Sequence, residues 1–287
     1  MRAECQLDLG NRALTAVPDE ALASRDLQHL NLYKNRLHSV PEALWSLTEL
    51  RVLNLAENQL TSIADGIGQL TQLRMLDIAH NQLAQLPDAI GQLTNLSDYL
   101  YVADNKLESL PDSICRLAKL GYFNASDNQL AELPAEIGRM QSLVELRLYG
   151  NRLQHLPKSI GDLSALIELH LPRNQLTGLP DTIGGMKRLR ELDLTDNALT
   201  SLPDSIGDMI SLRRLNLRNN KLASLPASIA QLKQLTHLDL RANPLTELPD
   251  AIADLPRLEK LDLRWCPLER VPEWVAALRQ RSCLVYL

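Results

Sequence analysis

Apolar positions recur along this chain with a fixed period. Reduced to its recurring positions, the pattern reads LxxLxLxxNxLxxLPxxIGxLxx, as in residues 143–165. Its first leucine returns every 23 residues, apart from one step of 24 residues. That leucine is found at Leu27, Leu50, Leu73, Leu96, Leu120, Leu143, Leu166, Leu189, Leu212, Leu235 and Leu258. Such a period is typical of a solenoid, in which each unit buries its apolar edge by stacking on its neighbours.

Each repeat predicts one short strand and one return segment. In residues 146–148 the leucines alternate with a polar residue, which indicates a strand buried on one face. The amide of Asn151 carries donors and an acceptor, so a stack of such residues can satisfy the backbone of the turns. Pro157 opens the return path, where no ladder hydrogen bond is needed. The apolar residues from Ile160 onward predict a short or 3₁₀ helical turn. We therefore expect parallel strands along a concave side.

The phrase LPxxIGxLxxLxxLxLxxNxL covers nearly the whole chain. It resembles the short leucine-rich repeats of plant intracellular Ras-group proteins, animal Ras-binding scaffolds, the Scribble and Erbin family and many bacterial proteins. The resemblance implies an α/β solenoid, a leucine-rich repeat horseshoe. Its parallel β-sheet would lie on the concave face and short 3₁₀ or helical turns on the convex face. The family also implies protein–protein recognition on the concave face, by analogy of fold.

The repeats predict a single leucine-rich repeat domain over residues 1–287. Residues 1–26 form a degenerate capping unit, with Arg12 in place of the repeat asparagine. Residues 27–257 contain ten repeats, and residues 258–287 hold the last repeat and a C-terminal cap, because exposed solenoid ends need atypical units. The candidate covers of the last core layer are Trp274, Val285 and Leu287.

One repeat, at residues 96–119, is a residue longer than the others. The extra residue lies within Ser97–Tyr99, just before or within the strand. A β-bulge there would re-aim the neighbouring side chains. The alternative is a neutral insertion absorbed in the loop.

Composition limits the classes of partner and the cellular compartment that we expect. The net charge of −5 and a pI near 5.7 argue against nucleic acid or an anionic membrane as partner. We see no signal-like or transmembrane-length apolar stretch. The four cysteines do not form the paired clusters of secreted repeat proteins, which favours a reducing, cytoplasmic location. Delivery into a host cell without a cleaved signal is the alternative.

Catalytic patterns are absent from the sequence. His29, His80, His170 and His237 are separated by two or more repeats, so we expect no shared metal. The recurrent Ile-Gly lies at a core position of the repeat rather than in a phosphate-binding loop. We therefore predict no enzyme activity, no cofactor and no metal.

A binding surface is predicted at the concave positions 2, 4, 6 and 7 residues after each first leucine. Five of the six tyrosines fall on these positions. Tyrosine buries a large ring with few rotors and keeps a hydroxyl, which suits an interface hot spot. Small residues at positions 56, 79, 103 and 126 predict a shallow trough beside them. The candidate hot spot comprises Val52, Met75, Tyr99, Tyr101 and Tyr122, with His80 at its edge.

A second candidate surface is an arginine column of Arg218, Arg241 and Arg264. Like charges opposite each other on neighbouring strands repel, so a compensating group is expected. Either the adjacent carboxylates compensate, or an acidic or phosphorylated peptide is bound by the guanidinium groups. The compensating carboxylates would be Asp193, Asp239 and Asp262. Tyr149 and Trp265 complete the predicted partner-binding residues.

These features together predict a monomeric, non-catalytic scaffold that binds a protein or peptide on its concave face in intracellular signalling. The alternative is the substrate-targeting module of an effector or of a partner signalling enzyme, either a kinase or a ubiquitin ligase.

Overall fold

The computed structural model describes residues 5–287, which divide into two compact units, the first ending at Leu143 and the second beginning at Val144. Residues 1–4 of the predicted capping unit lie outside the described residues. Each unit repeats the same element, a three-residue strand followed by a return segment. The leucine-rich repeat solenoid predicted from the sequence is confirmed in both.

The first unit contains a parallel sheet in which sequential strands are neighbours. Each residue faces its equivalent in the next repeat, as Val52 faces Met75. The middle residue of each of strands β2–β6 is buried because alternate side chains point into the core. The strands are β1 (Gln6–Asp8), β2 (His29–Asn31), β3 (Val52–Asn54), β4 (Met75–Asp77), β5 (Tyr99–Tyr101) and β6 (Tyr122–Asn124).

The second unit contains the same pattern of parallel strands. Its last strand pairs with the strand before it, residue by residue, although the sequence there no longer follows the repeat. The strands are β7 (Glu145–Arg147), β8 (Glu168–His170), β9 (Glu191–Asp193), β10 (Arg214–Asn216), β11 (His237–Asp239), β12 (Lys260–Asp262) and β13 (Leu284–Tyr286).

Most return segments contain a short 3₁₀ helix, as predicted. The residue before it is usually a proline in extended conformation, such as Pro87 with φ −71° and ψ 149°. Ala64 adopts nearly the same backbone, with φ −76° and ψ 158°, so proline favours the turn without being required. The 3₁₀ helices are Glu42–Ser46, Asp65–Gln69, Asp88–Gln92, Asp112–Arg116, Ile137–Arg139, Lys158–Asp162, Asp181–Gly185, Asp204–Asp208, Ala227–Gln231 and Asp250–Asp254.

The repeat asparagines satisfy the backbone of the turns, as predicted. The amide of Asn81 donates to the carbonyls of Leu55, Ile78 and Ala79 at 3.0–3.2 Å, and its oxygen accepts from the Leu60 N–H at 2.9 Å. The side chain is almost fully buried. Each such asparagine therefore links the turn of its own repeat to the turn of the previous one.

The C-terminal cap differs from the prediction. A helix, α2 (Trp274–Gln280), buries Val275 and Leu278, and Val285 of β13 is also buried. Leu287 is 47% exposed, so its predicted role as a cover is wrong, because the residues that turn inward are those of α2 and the middle of β13. In the first unit, the return segment of the first repeat holds a short helix, α1 (Asp19–Ala23).

Trp274 also differs from its predicted place in the cap. Its ring is only half-buried, and its Nε1–H donates to Asp250 Oδ1 at 3.1 Å. The indole therefore ties α2 to the preceding 3₁₀ helix rather than closing the apolar core.

The extra residue lies at the entrance to β5. The backbone N–H groups of Ser97 and Asp98 both donate to the Arg74 carbonyl, at 3.3 and 2.9 Å. Tyr99 then resumes the register opposite Met75. In the regular repeat before it, the Arg51 carbonyl accepts from Arg74 and Met75, so the two donors at Arg74 lie one residue earlier relative to their strand. The extra residue is therefore taken up at the entrance to β5, the position of the predicted bulge. Among residues 5–287, no helix has the length and apolarity to span a membrane.

Candidate functional site

Three tyrosine rings of the first unit cluster on the solvent face of its sheet, the face opposite the core. The ring centroids of Tyr99 and Tyr101 are 5.8 Å apart, and those of Tyr99 and Tyr122 are 5.6 Å apart. The Tyr101 and Tyr122 centroids are separated by 5.1 Å. Together with half-buried Val52 and Met75, the three rings are called the aromatic patch.

The strand geometry explains why these side chains meet. Tyr99 and Tyr101 flank buried Leu100 in β5, so both rings point to the solvent face. Tyr122 lies opposite Tyr99 in the parallel register and flanks buried Phe123. Tyr99 is 44% exposed, so the patch presents an apolar surface to solvent. An exposed aromatic surface of this kind marks a candidate interaction site.

His80 lies at the edge of the aromatic patch, on the turn after β4, with a positive φ of 52°. Its ring Nδ1 is 2.7 Å from Asp104 Oδ2, and both side chains are exposed. Behind the patch, Ala56, Ala79 and Ala103 form a nearly buried row against which Tyr33 and Tyr101 pack. The predicted trough over these small residues is therefore partly covered by the two tyrosine rings.

Sequence reasoning missed Asp77, which lies among these groups. Asp77 faces Tyr101 in the register, and its Oδ1 accepts the Ala79 N–H at 3.1 Å. Burial raises the pKa of this carboxyl, and the Ala79 hydrogen bond and the charge of His80 only partly oppose the effect. No lysine or arginine among residues 5–287 pairs with it. The signal was present in the sequence as a carboxylate in an otherwise apolar and aromatic surface.

The arginine column lies in the second unit, and two of its members are compensated within the chain. Arg241 Nε donates to both oxygens of Asp239, at 2.9 and 3.0 Å. Arg264 donates to the two oxygens of Asp262 at 2.9 and 2.7 Å. Arg241 also lies 3.5 Å from Asp262. The carboxylates therefore provide the predicted compensation at these two positions.

Asp262 is fully buried between these two arginines. Burial alone would raise its pKa, but hydrogen bonds from Arg264 and the charges of Arg241 and Arg264 hold it below its usual range. The carboxylate is thus ionised and satisfied inside the chain.

The remaining predicted residues have other surroundings. Arg218 is exposed and has no ion-pair partner among the described residues, because its own repeat carries the uncharged Asn216 at the position of Asp239 and Asp262. Trp265 is 67% exposed, and the Arg264 guanidinium lies 5.7 Å from its ring centroid. The Tyr149 ring lies 5.6 Å from the Arg173 guanidinium. The structure therefore assembles the aromatic patch as one cluster and leaves these side chains outside it.

A carboxylate–imidazole group in the second unit was also missed. The ligand-type atoms of Glu145, Glu168 and His170 all lie within 4.8 Å of one another. Arg147 Nε lies 2.5 Å from Glu145, and His170 Nε2 lies 3.1 Å from Glu168. The signal in the sequence was a glutamate two residues after the first leucine of three successive repeats, at Glu145, Glu168 and Glu191, because neighbouring repeats place equivalent positions side by side. The group is an ion-paired network within the chain.

Burial disfavours the thiolate form of three cysteines. Burial raises the pKa of Cys115 to about 11, and it also raises the pKa values of Cys266 and Cys283. A thiol with a raised pKa carries little of the nucleophilic thiolate. All four cysteines are unpaired.

The sequence of this chain matches models of known protein families. The family model described as a leucine-rich repeat region matches residues 25–120 and 110–197. The chain belongs to the leucine-rich repeat family. Two further leucine-rich repeat models match residues 210–268 and 188–209 of this leucine-rich repeat protein. No curated protein matches its sequence significantly.

Solved structures resemble this leucine-rich repeat chain over nearly its whole length. A leucine-rich repeat protein of Leptospira interrogans is 29% identical, covering 98% of this chain and 95% of its own, with a TM-score of 0.51. The plant peptide hormone receptor RGFR1, solved in complex with RGF2, is 27% identical over 99% of this chain, with a TM-score of 0.73. The GASSHO1/SCHENGEN3 ectodomain of Arabidopsis thaliana, in complex with Casparian strip integrity factor 2, is 29% identical over 95% of this chain, with a TM-score of 0.75.

The match spans only 55% and 38% of the two plant receptor chains. The shared part is therefore the repeat array and not the whole receptor. The leucine-rich repeat fold supports a protein–protein interaction module, and the family is generally non-enzymatic.

Proposed function

We propose that this chain is a non-catalytic binding module that docks a protein or peptide partner on the aromatic patch of its first unit. The observation that carries the proposal is the cluster of Tyr99, Tyr101 and Tyr122 on a strand face that points to solvent. Three rings in mutual contact give a rigid apolar surface. Burial of such rings dominates the binding energy of many interfaces.

The related structures support a peptide or protein as ligand. RGFR1 and the GASSHO1/SCHENGEN3 ectodomain were both solved with a bound partner, RGF2 and Casparian strip integrity factor 2. The arginine column is less suited to this role, because Arg241 and Arg264 already bind Asp239 and Asp262. A charged partner there would compete with hydrogen bonds that the chain makes itself.

The test is quantitative partner capture with the purified chain and with alanine variants. Tyr101→Ala and Tyr122→Ala should each weaken binding by about 2 kcal/mol and leave the circular dichroism spectrum unchanged. Tyr149→Ala and Arg218→Glu in the second unit serve as matched controls and should bind like the parent. Full affinity in the double tyrosine variant, with loss in either control, would place the site in the second unit.

The location and assembly state form part of the same proposal. We place the chain in the cytoplasm, on the ground that its four cysteines are unpaired. We also propose that it acts there as a monomeric, single-domain scaffold in signalling. The alternative is a substrate-targeting module, either of an effector delivered into a host cell or of a separate kinase or ubiquitin ligase. Cell fractionation, a secretion assay and the molar mass in solution separate these cases.

A further inference from the structure

The structure contains an arginine-binding arrangement in the second unit that recurs in the first unit without its arginine. In the second unit, Asp262 faces Tyr286 in the parallel register. Arg264, two residues after Asp262, donates to both carboxylate oxygens at 2.9 and 2.7 Å. Its guanidinium also lies 5.2 Å from the Tyr286 ring centroid. The guanidinium thus combines a two-point carboxylate contact with a cation–π contact.

The first unit repeats the same backbone around Asp77. Asp77 faces Tyr101 in the register, as Asp262 faces Tyr286. In both units the residue after the aspartate donates its backbone N–H to the tyrosine carbonyl at 2.9 Å. The donor is Ile78 to Tyr101 in the first unit and Leu263 to Tyr286 in the second. The residue two positions after the aspartate donates its backbone N–H to the carboxylate in both, at 3.1 Å from Ala79 and 3.4 Å from Arg264.

The difference between the two arrangements is the side chain at that position. Ala79 stands where Arg264 stands in the second unit, and it supplies no cation. His80 is engaged with Asp104 at 2.7 Å. Asp193 and Asp239 occupy the position of Asp77 in other repeats, and each receives a side-chain hydrogen bond within 3.0 Å from its own repeat. Asp77 receives only a backbone N–H, although burial disfavours its charge.

We infer that Asp77 and Tyr101 bind an arginine side chain of the partner, which takes the place that Arg264 occupies beside Asp262 and Tyr286. The inference deepens the proposed function and rests on it, because the ligand is again a peptide segment. In that segment an arginine lies among apolar residues. The apolar neighbours pack on the aromatic patch, and the guanidinium pairs with the carboxylate of Asp77 beside Tyr101. A guanidinium suits this position better than an ammonium, because its planar fork matches both oxygens and its face lies on the ring.

The test uses N-acetyl-arginine amide as the probe and N-acetyl-citrulline amide as its uncharged counterpart. Both are titrated into the labelled full chain while the NMR signals of Ala79 and Tyr101 are followed. The arginine derivative should shift these signals saturably, and the citrulline derivative should bind about tenfold more weakly. Equal shifts from both compounds, or none from either, would overturn the inference.

Two variants of the first unit sharpen the result. Asp77→Asn keeps the shape and removes the charge, so it should abolish the preference for arginine over citrulline. Ala79→Arg copies the second unit and should block the probe, whereas Ala79→Met adds bulk without charge and should block it less. Asp193→Asn is the matched control, because Asp193 has its own partner in Thr195. An undiminished preference in Asp77→Asn would refute the assignment.

The outcome is separable from that of the proposed function. Loss of partner capture in the tyrosine variants without an arginine preference would leave the proposed function standing and remove the inference. Arginine preference with capture unaffected by the tyrosines would support the guanidinium site and contradict the aromatic patch as the main docking surface.

Discussion

Arg74 Nη2 lies 3.2 Å from Asp98 Oδ1 across the entrance to β5, and the Arg74 carbonyl accepts the N–H groups of Ser97 and Asp98. The ion pair is exposed, so it adds little to stability. Other strand entrances have the same pair of backbone hydrogen bonds, but their donors are the first strand residue and the residue before it. At Arg74 both donors come one residue earlier, which places the extra residue immediately before Tyr99, at the border of the aromatic patch.

Deletion of Asp98 tests whether this bulge sets the patch. The deletion restores the regular step and should weaken partner binding about tenfold, because Tyr99 and Tyr101 would enter the strand at a changed angle. Asp98→Ala removes the ion pair but keeps the backbone, and should leave affinity and unfolding free energy within about 0.5 kcal/mol of the parent. Isothermal titration and urea unfolding measure the two quantities. Equal affinity of the deletion and the parent would make the bulge irrelevant to binding.

The repeat period made much of this structure predictable. Because each repeat forms the same strand, the spacing of the leucines fixed which tyrosines share a face, and the Tyr99, Tyr101 and Tyr122 rings meet as expected. The asparagine stack followed in the same way, since an amide is the side chain that offers donors and an acceptor together.

Other features depend on pairings between repeats that the period alone does not show. Arg241 and Arg264 are neutralised by carboxylates of their own strands, whereas Arg218 is not. Asp77 could be singled out only from the structure, which shows that its carboxylate accepts the Ala79 N–H but pairs with no lysine or arginine among the described residues. The C-terminal cap was misjudged at Leu287, because an end that departs from the repeat has no period to predict from.

Asn81→Ala tests the contribution of the asparagine stack. The substitution leaves three carbonyls and the Leu60 N–H without their buried partner, which should lower the free energy of unfolding by about 3 kcal/mol. Gln82→Ala, at the exposed neighbouring position, is the matched control and should change little. Urea unfolding monitored by circular dichroism gives both values. A cost for Asn81→Ala no larger than that of Gln82→Ala would show that the stack is dispensable.

Asp77→Asn tests whether the aromatic patch carries an unfavourable charge. The pKa of Asp77 is raised in the folded chain, so its contribution to stability is present below the unfolded pKa of about 3.9 and is lost as the pH rises through the folded pKa. At neutral pH the amide variant should therefore be more stable than the parent, and the gain should vanish in acid. Asp193→Asn removes an aspartate that its own Thr195 hydroxyl stabilises, and should bring no such gain. Thermal unfolding at several pH values measures the stability of each variant relative to the parent. A loss of stability in Asp77→Asn at neutral pH would contradict the raised pKa.

Arg264→Met tests the opposite case at Asp262. The pKa of Asp262 is lowered by Arg264 and Arg241 against the effect of burial, so its stabilisation is present above about pH 3.9 and is lost as the pH falls through the folded pKa. Removing Arg264 takes away two side-chain hydrogen bonds from a fully buried carboxylate. Protonation of Asp262 then needs less acid, and the acid unfolding midpoint should move to higher pH.

Arg218→Met is the control for this shift, because Arg218 is exposed and has no ion-pair partner among the described residues. It should leave the acid midpoint where it is, while removing a positive charge of the same column. Acid titration followed by circular dichroism compares the two variants directly. Equal shifts in both would mean that the loss of one positive charge, rather than the buried Asp262 pair, governs acid unfolding, since of these two arginines only Arg264 contacts that carboxylate.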